Sequence, residues 1–372
     1  MNEITHGQWI GSVIDPNKVE VRTMLNIEKR TPGIAQILSY SIQFPNLRTS
    51  AIIKFGNFES ELVVDSPDAS FFDVSTGKLI PIPEYWKLHN IDQPIPKRMT
   101  YTFDRKGRII AGSFKSDVGT SGTFEVTNTV NDAPRKAHHV FDWESFKKFV
   151  AARYINDPQI LFRGQPDNRY KLRTSYHRRD RNNLLAYLNN DIPELAHAIN
   201  AVSSFYYRPE DGEQLGALLS LAQHHGYPTP LLDWTRSPYI AAFFAFTEAP
   251  TESRNPEAVR IHIFDLNNWP SAPTPRFIYD PMPGITFHRF SAHNNPRFVP
   301  QQSVASFSNM DDMEGFVELQ EKQTGNTNLT VIDIPITEKQ KVVDELRLMG
   351  ITAGSLFPGL DGICRSLKER FF

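Results

Sequence analysis

One cysteine, Cys364, in a chain of 372 residues leaves no partner for an intramolecular disulfide and no thiolate cluster for a metal. That scarcity suits a reducing compartment, and the expected place for the lone thiol is the core. Long apolar runs are missing too: the longest, Tyr239 to Phe246, falls far short of the roughly 20 residues a helix needs to cross a bilayer. Met1-Asn2-Glu3-Ile4-Thr5-His6 carries neither a basic leader nor an apolar stretch, so the expectation is a cytoplasmic protein with no membrane partner. Charge of one sign is equally absent. Forty basic against 42 acidic side chains give a net charge of -2, so any attraction for anions must be local. What is present, 40% hydrophobic, 12% aromatic and 22% charged residues, suffices for two domains of roughly 150 residues with cores of their own.

The halves differ in grammar. Residues 1 to about 130 alternate β-favouring runs with turn formers: Val19 to Val21, Gln36 to Gln43, Ser50 to Phe55, Glu61 to Val64, Thr100 to Phe103, Ile109 to Phe114 and Gly122 to Val126. These runs predict an antiparallel β-rich domain without helical periodicity. Asp104 to Gly107 reads as a hairpin turn, Gly119 to Gly122 as another. No catalytic constellation lies in this half. Asn128 to His139 loses apolar pattern and reads as a linker. From about 140 to 372 helical and strand patterns mix, which predicts a second, mixed α/β domain and an α+β protein overall. Asp142 can cap a helix carrying Trp143, Phe146, Phe149 and Val150, and Gln159 to Phe162 reads as a buried strand ending at Arg163-Gly164. Leu184 to Leu188, Glu194 to Phe205 and Gln214 to His225 read as helices, Val259 to Phe264 and Leu329 to Ile334 as strands, and Pro270 to Pro283 as a surface loop.

Three clusters could carry chemistry. Arg163, beside a glycine that would let a ligand reach the backbone, suits phosphate or carboxylate because guanidinium donates two parallel hydrogen bonds; an ordinary ion pair is the plainer alternative. Residues 160 to 181 hold Arg163, Arg169, Lys171, Arg173, Arg178, Arg179 and Arg181 against Asp167 and Asp180, with Tyr170, Tyr176 and His177 between them. That pattern fits a nucleotide or nucleic-acid surface with stacking rings, or a solvated charged face. In the third, Gln223 to Phe244, a helix ends in His224 and His225, Gly226 stops it, a short strand carries Asp233 and Thr235, and Ser237-Pro238 opens the next helix. A metal is not expected, since adjacent helical side chains diverge by about 100° and no further ligand stands at the right spacing.

Phe162-Arg163-Gly164 together with QHHGYPTPLLDWTRSPYIAAFFAF resembles the FRG domain family, and the resemblance continues through Asn295-Pro296-Arg297-Phe298 to Gln301 and through Ile351 to Leu367. It covers residues 140 to 372. Two positions depart from the family pattern: Pro230, often arginine there, and Ser303, often glycine. The layout is also similar to that of ADP-ribosyltransferases of the Arg-Ser-Glu type. That likeness implies Arg163 on the phosphates of NAD, and Gly164, Thr235, Ser237 and Arg297 around the cofactor. The catalytic candidates are Arg163, His224, Asp233 and Gln301, where His224 can equally hydrogen-bond a neighbouring backbone group, Asp233 cap or pair, and Gln301 bond backbone within a β-structure. A glutamate normally steadies the oxocarbenium-like charge. Here Gln301 or Gln302 falls nearest, and Glu314 and Glu318 lie within reach. Two functions stay open: an NAD-consuming effector, as ADP-ribosyltransferase or NAD glycohydrolase, serving bacterial phage defence or toxicity with a protein or nucleic-acid acceptor; and a non-catalytic nucleotide- or nucleic-acid-binding module.

Overall fold

The computed structural model describes residues 6–44, 46–55, 60–65, 68–129, 133–155, 157–249, 256–270, 278, 280–291 and 293–371. Ten antiparallel strands form the first sheet: β1 (Gly7–Ile14), β2 (Glu20–Ile27), β3 (Ile34–Tyr40), β4 (Arg48–Lys54), β5 (Glu61–Asp65), β6 (Asp68–Asp73), β7 (Lys78–Pro81), β8 (Arg98–Lys106), β9 (Ile109–Ser116) and β10 (Ser121–Asn128). Their order is β5-β8-β9-β10-β1-β2-β3-β4-β6-β7. Gly107 and Gly119 turn the last hairpins at φ +60 and +88. Four of these elements were not legible: the strands β1, β6 and β7, and α1 (Ile82–Leu88), a helix too short to show a period, opened by Pro81 and Pro83.

The sheet alternates strictly, and both faces are used. On one face Trp9, Ile27, Ala35, Ile53 and Val126 build a core. On the other, the amide of Gln8 donates to Asn26 Oδ1 at 3.1 Å and that of Asn26 to Gln36 Oε1 at 3.2 Å. This second face meets the rest of the chain. Gln8 also donates to the Asn309 carbonyl at 2.9 Å and accepts from the Asp311 amide at 3.1 Å. Buried Glu28 accepts from the Asn182 and Asn183 amides at 2.8 Å and from the Tyr176 hydroxyl at 3.2 Å. Met24, Leu38 and Met310 share a small core. Residues 271–277 and 279 of the proline-rich stretch lie outside the described residues, while Asp280 is buried and pairs with Arg48 at 2.5 Å.

The second sheet, order β11-β17-β14-β12-β13-β16-β15, comprises β11 (His139–Val140), β12 (Ile160–Gln165), β13 (Leu231–Thr235), β14 (Ala258–Asp265), β15 (Ile285–His288), β16 (Ser303–Ser308) and β17 (Leu329–Pro335). Helices cover both faces, so the interior strand β14 is buried along nearly its whole length. On one side pack α2 (Trp143–Tyr154), α6 (Pro238–Thr247), α8 (Lys339–Leu348) and α9 (Ala353–Leu356). On the other lies α7 (Met313–Thr324), with Met313 and Val317 against Trp234 and Phe264. The short α3 (Leu184–Ala186) runs through a π turn into α4 (Ile192–Asn200), and with α5 (Gly212–His224) it covers the β13 and β16 end. The last helix, α10 (Leu360–Phe371), exposes Cys364. The expected core thiol is therefore a surface one, set on an apolar stripe with Leu360, Ile363, Leu367 and Phe371 that is itself exposed. Asp142 caps α2 as expected, accepting from the Ser145 amide at 2.7 Å.

Candidate functional site

β12 does not end at Arg163: it continues through Gln165, paired with β14. Toward β13 its only Cα pairing is Phe162 with Thr235, and past that point the two strands part. Arg163 fills the gap, donating from Nη1 to the Asp233 carbonyl at 2.5 Å. A cavity of about 240 Å³ opens here.

The cavity gathers Arg163, Gly164, His224, Asp233, Thr235, Arg297 and Gln301. These include all four proposed catalytic residues and four of the five cofactor-binding ones. The exception is Ser237, which lines no part of it. Its hydroxyl accepts from the Ile240 amide at 3.3 Å, the N-cap of α6. Gly164 lines the cavity for a different reason than ligand approach. A Cβ there would lie 1.9 Å from the Ala241 carbonyl oxygen, so the glycine lets α6 sit directly on β12. That seating brings Ala241, Phe244 and Glu248, on one face of the helix end, over the cavity.

Each polar group has a defined setting. Burial pushes the Arg163 guanidinium down, opposed by Asp233 and Glu248, and its Nε is buried with no hydrogen-bond partner. The Asp233 carboxylate accepts from the Gln223 amide at 2.5 Å, and Gln223 in turn accepts from the Thr229 hydroxyl. Nδ1 of His224 lies 2.9 Å from Asn295 Oδ1, an oxygen that can only accept, so Nδ1 is the donor of this bond. Gln301 is buried and donates to the Leu356 carbonyl at 3.1 Å. Arg297 donates to the His224 carbonyl at 3.1 Å and stacks on Phe357, 5.2 Å from the ring centroid.

Glu248 is the carboxylate the sequence reading missed. It stands at the solvent-exposed mouth, where partial desolvation pushes its carboxyl up against the pull of Arg365 and Arg163. Its signal was the helical spacing 241, 244, 248, continued past the apolar run. Glu314 and Glu318 are placed elsewhere: Glu314 is buried, accepting from the Leu172 and Arg135 amides at 2.8 and 2.6 Å, and Glu318 pairs with Lys322 on the surface.

Most of the arginine-rich segment is consumed internally. Arg169 pairs with Asp167, Lys171 with Asp312, Arg173 with Asp311, and Arg181 with Asp191. Tyr176 and His177 are fully buried and cannot stack on a base. His177 keeps Nδ1 on the Thr174 hydroxyl at 2.7 Å, and burial pushes its imidazole down to about 4 from an ordinary 6.5. The unfolded chain therefore takes up this proton first. The stability held by neutral His177 is complete above about 6.5 and is lost as pH falls toward 4, on the order of 3 kcal/mol. Urea unfolding between pH 7 and 4 should show this decline, flattened in His177→Gln; an unchanged slope removes His177 as its source.

The site thus sets one buried guanidinium among carboxylates and amides on a mixed α+β scaffold. Residues 158–254 match the FRG domain family model, so the chain carries an FRG domain. No curated protein matches the chain. Among solved structures, a de novo designed fluorescence-activating β-barrel is 16% identical, covering 34% of this chain and 94% of that one at a TM-score of 0.22. A redesigned β-barrel bound to DFHBI is 10% identical, covering 33% and 94%, also at 0.22. Similarities this low do not define the fold. Among the described residues no group of three or more His, Cys, Asp or Glu could hold a metal ion, and no helix is long and apolar enough to cross a membrane.

Proposed function

We propose that the Arg163 cavity takes one end of NAD and that the protein is an NAD-consuming, ADP-ribosyltransferase-like effector. The observation that supports this is Arg163 itself: a guanidinium with buried Nε unpartnered and Nη1 on a carbonyl, among residues that include Asp233 and Glu248. An unpaired buried charge is costly, and a phosphate oxygen on Nε would relieve it. At about 240 Å³ the cavity is smaller than a drug-sized pocket, so the rest of a dinucleotide would lie beyond its mouth.

In the proposed reaction the bond between ribose C1′ and the nicotinamide nitrogen breaks, nicotinamide leaves with the electron pair, and positive charge develops on the ribose. Glu248 and Asp233 supply opposing charge. Burial raises the pKa of Glu248, which suits it to accept the proton of the attacking group. Water as that group gives a glycohydrolase; a protein or nucleic-acid nucleophile gives a transferase. A role in bacterial phage defence or toxicity would follow from NAD loss. One observation favours a non-catalytic nucleotide-binding module instead: the Gln301 amide is spent on the Leu356 carbonyl.

Following nicotinamide release from NAD tests the reading. Wild type should release it, Glu248→Gln should fall about 100-fold, and Gln301→Ala should fall less. No release with any candidate acceptor, while calorimetry still records NAD binding, establishes the binding module.

A further inference from the structure

A second cavity lies in the N-terminal sheet, on the face turned away from the FRG domain. It measures about 340 Å³, and none of its lining residues is charged. The alternation of β2 and β3 explains its position. Met24 and Leu38 pack toward Met310, while the intervening Leu25 and Ile37 point the other way, into the space.

The walls differ chemically. Thr23, Ser39 and Thr49 are register partners across β2, β3 and β4, a row of short side chains with Ala51 beside them. Opposite stand aromatic rings from β8, β9 and β10: Tyr101, Phe103, Phe114 and Phe124. The short row leaves the space that larger residues would have filled. Leu25, Ile37, Leu62, Tyr101 and Phe124 pack against this core yet are only partly buried, and they line the opening. Protein interiors are ordinarily close-packed, and apolar walls facing an unfilled space forgo dispersion contacts that an occupant would restore.

The polar groups narrow the occupant. Thr23 and Ser39 hydroxyls satisfy each other at 3.1 Å. Among the described residues Tyr101 donates to the thioether of Met99, at 3.6 Å, a weak acceptor. Desolvation pushes the Tyr101 phenol up to about 12, so it stays a donor at any physiological pH. For scale, an apolar cavity of about 150 Å³ takes one benzene ring, so this one has room for two fused rings.

We propose that the N-terminal sheet is a binding site for an uncharged, flat apolar small molecule of about two rings, with one hydrogen-bond acceptor directed at Tyr101. The probe is 6-propionyl-2-(dimethylamino)naphthalene, an uncharged two-ring ketone whose emission shifts to the blue in apolar surroundings. Titrated with the full chain, it should show a saturable one-to-one blue shift and raise the unfolding temperature, as a ligand of the native state must. Ala51→Leu and, separately, Thr49→Leu fill the space and should weaken binding at least tenfold with the fold retained. The near-isosteric Tyr101→Phe keeps the test alive if both fill-in variants misfold: it should weaken binding several-fold and alter the emission of the bound probe, whose carbonyl has lost its donor. A wild-type protein without a saturable shift overturns the proposal. So does unchanged binding in all three variants, or sedimentation showing a dimer whose formation abolishes probe binding, which would make the opening a contact between copies.

Discussion

Gly164→Ala should cost about 3 kcal/mol or more of stability, or abolish soluble expression, with every side chain of the cavity left in place. The added Cβ would lie 1.9 Å from the Ala241 carbonyl oxygen and 2.9 Å from the Ala245 nitrogen, backbone atoms that cannot swing aside. Either β12 and α6 separate or the strand leaves its ladder with β14. Gly226→Ala is the matched comparison. That residue has φ +84 but nothing within 4 Å of its missing Cβ, so only the left-handed backbone is penalised, by about 1 kcal/mol. Thermal unfolding of both variants by circular dichroism decides: a loss at 226 as large as at 164 would mean that helix seating is not what the Gly164 position protects.

Arg163→Lys should weaken binding of NAD or inorganic pyrophosphate by about 1 to 3 kcal/mol while leaving the fold intact, and Arg163→Ala should weaken it further. The charge survives in the lysine variant; the planar fork does not. Nη1 on the Asp233 carbonyl aims the unpartnered Nε, and an ammonium cannot fill both places at once. Asp233 and Glu248 act on Arg163 as charges, while its direct hydrogen bond goes to a backbone carbonyl. Calorimetry giving equal affinities for wild type and Arg163→Lys would take Arg163 out of the ligand site.

Much of this was legible because local pattern and tertiary role agreed. Seven β runs were found where alternation or turn chemistry marked them, and Asp142, Ser237 and Gly226 punctuate helices as their chemistry requires. The clustering of Arg163, His224, Asp233 and Gln301 followed from the family motif, not from spacing. What escaped had a physical reason. Glu248 looks like a polar residue after the last apolar turn, and only the close seating of α6 on Gly164 carries it over the cleft. The basic excess between 160 and 181 looked like an anion surface because its carboxylate partners, Asp191, Asp311 and Asp312, come from beyond that window. Cys364 looked like a core residue because cysteine so often is one, while α10 lays its apolar stripe on the surface.

The alternation along β2 has a consequence for how the chain finds its pairing. In most half-buried sheets a slip of one residue is opposed by one face only, since the solvated side tolerates either set of side chains. Here a slip would carry Asn26 among the rings of Tyr101 and Phe124 and would set Leu25 where the Gln8 amide needs an acceptor. Two unrelated chemistries, amide pairing outside and apolar contact inside, reject the same error, so the central strand keeps the zipper in step for the β strands that add on either side of it.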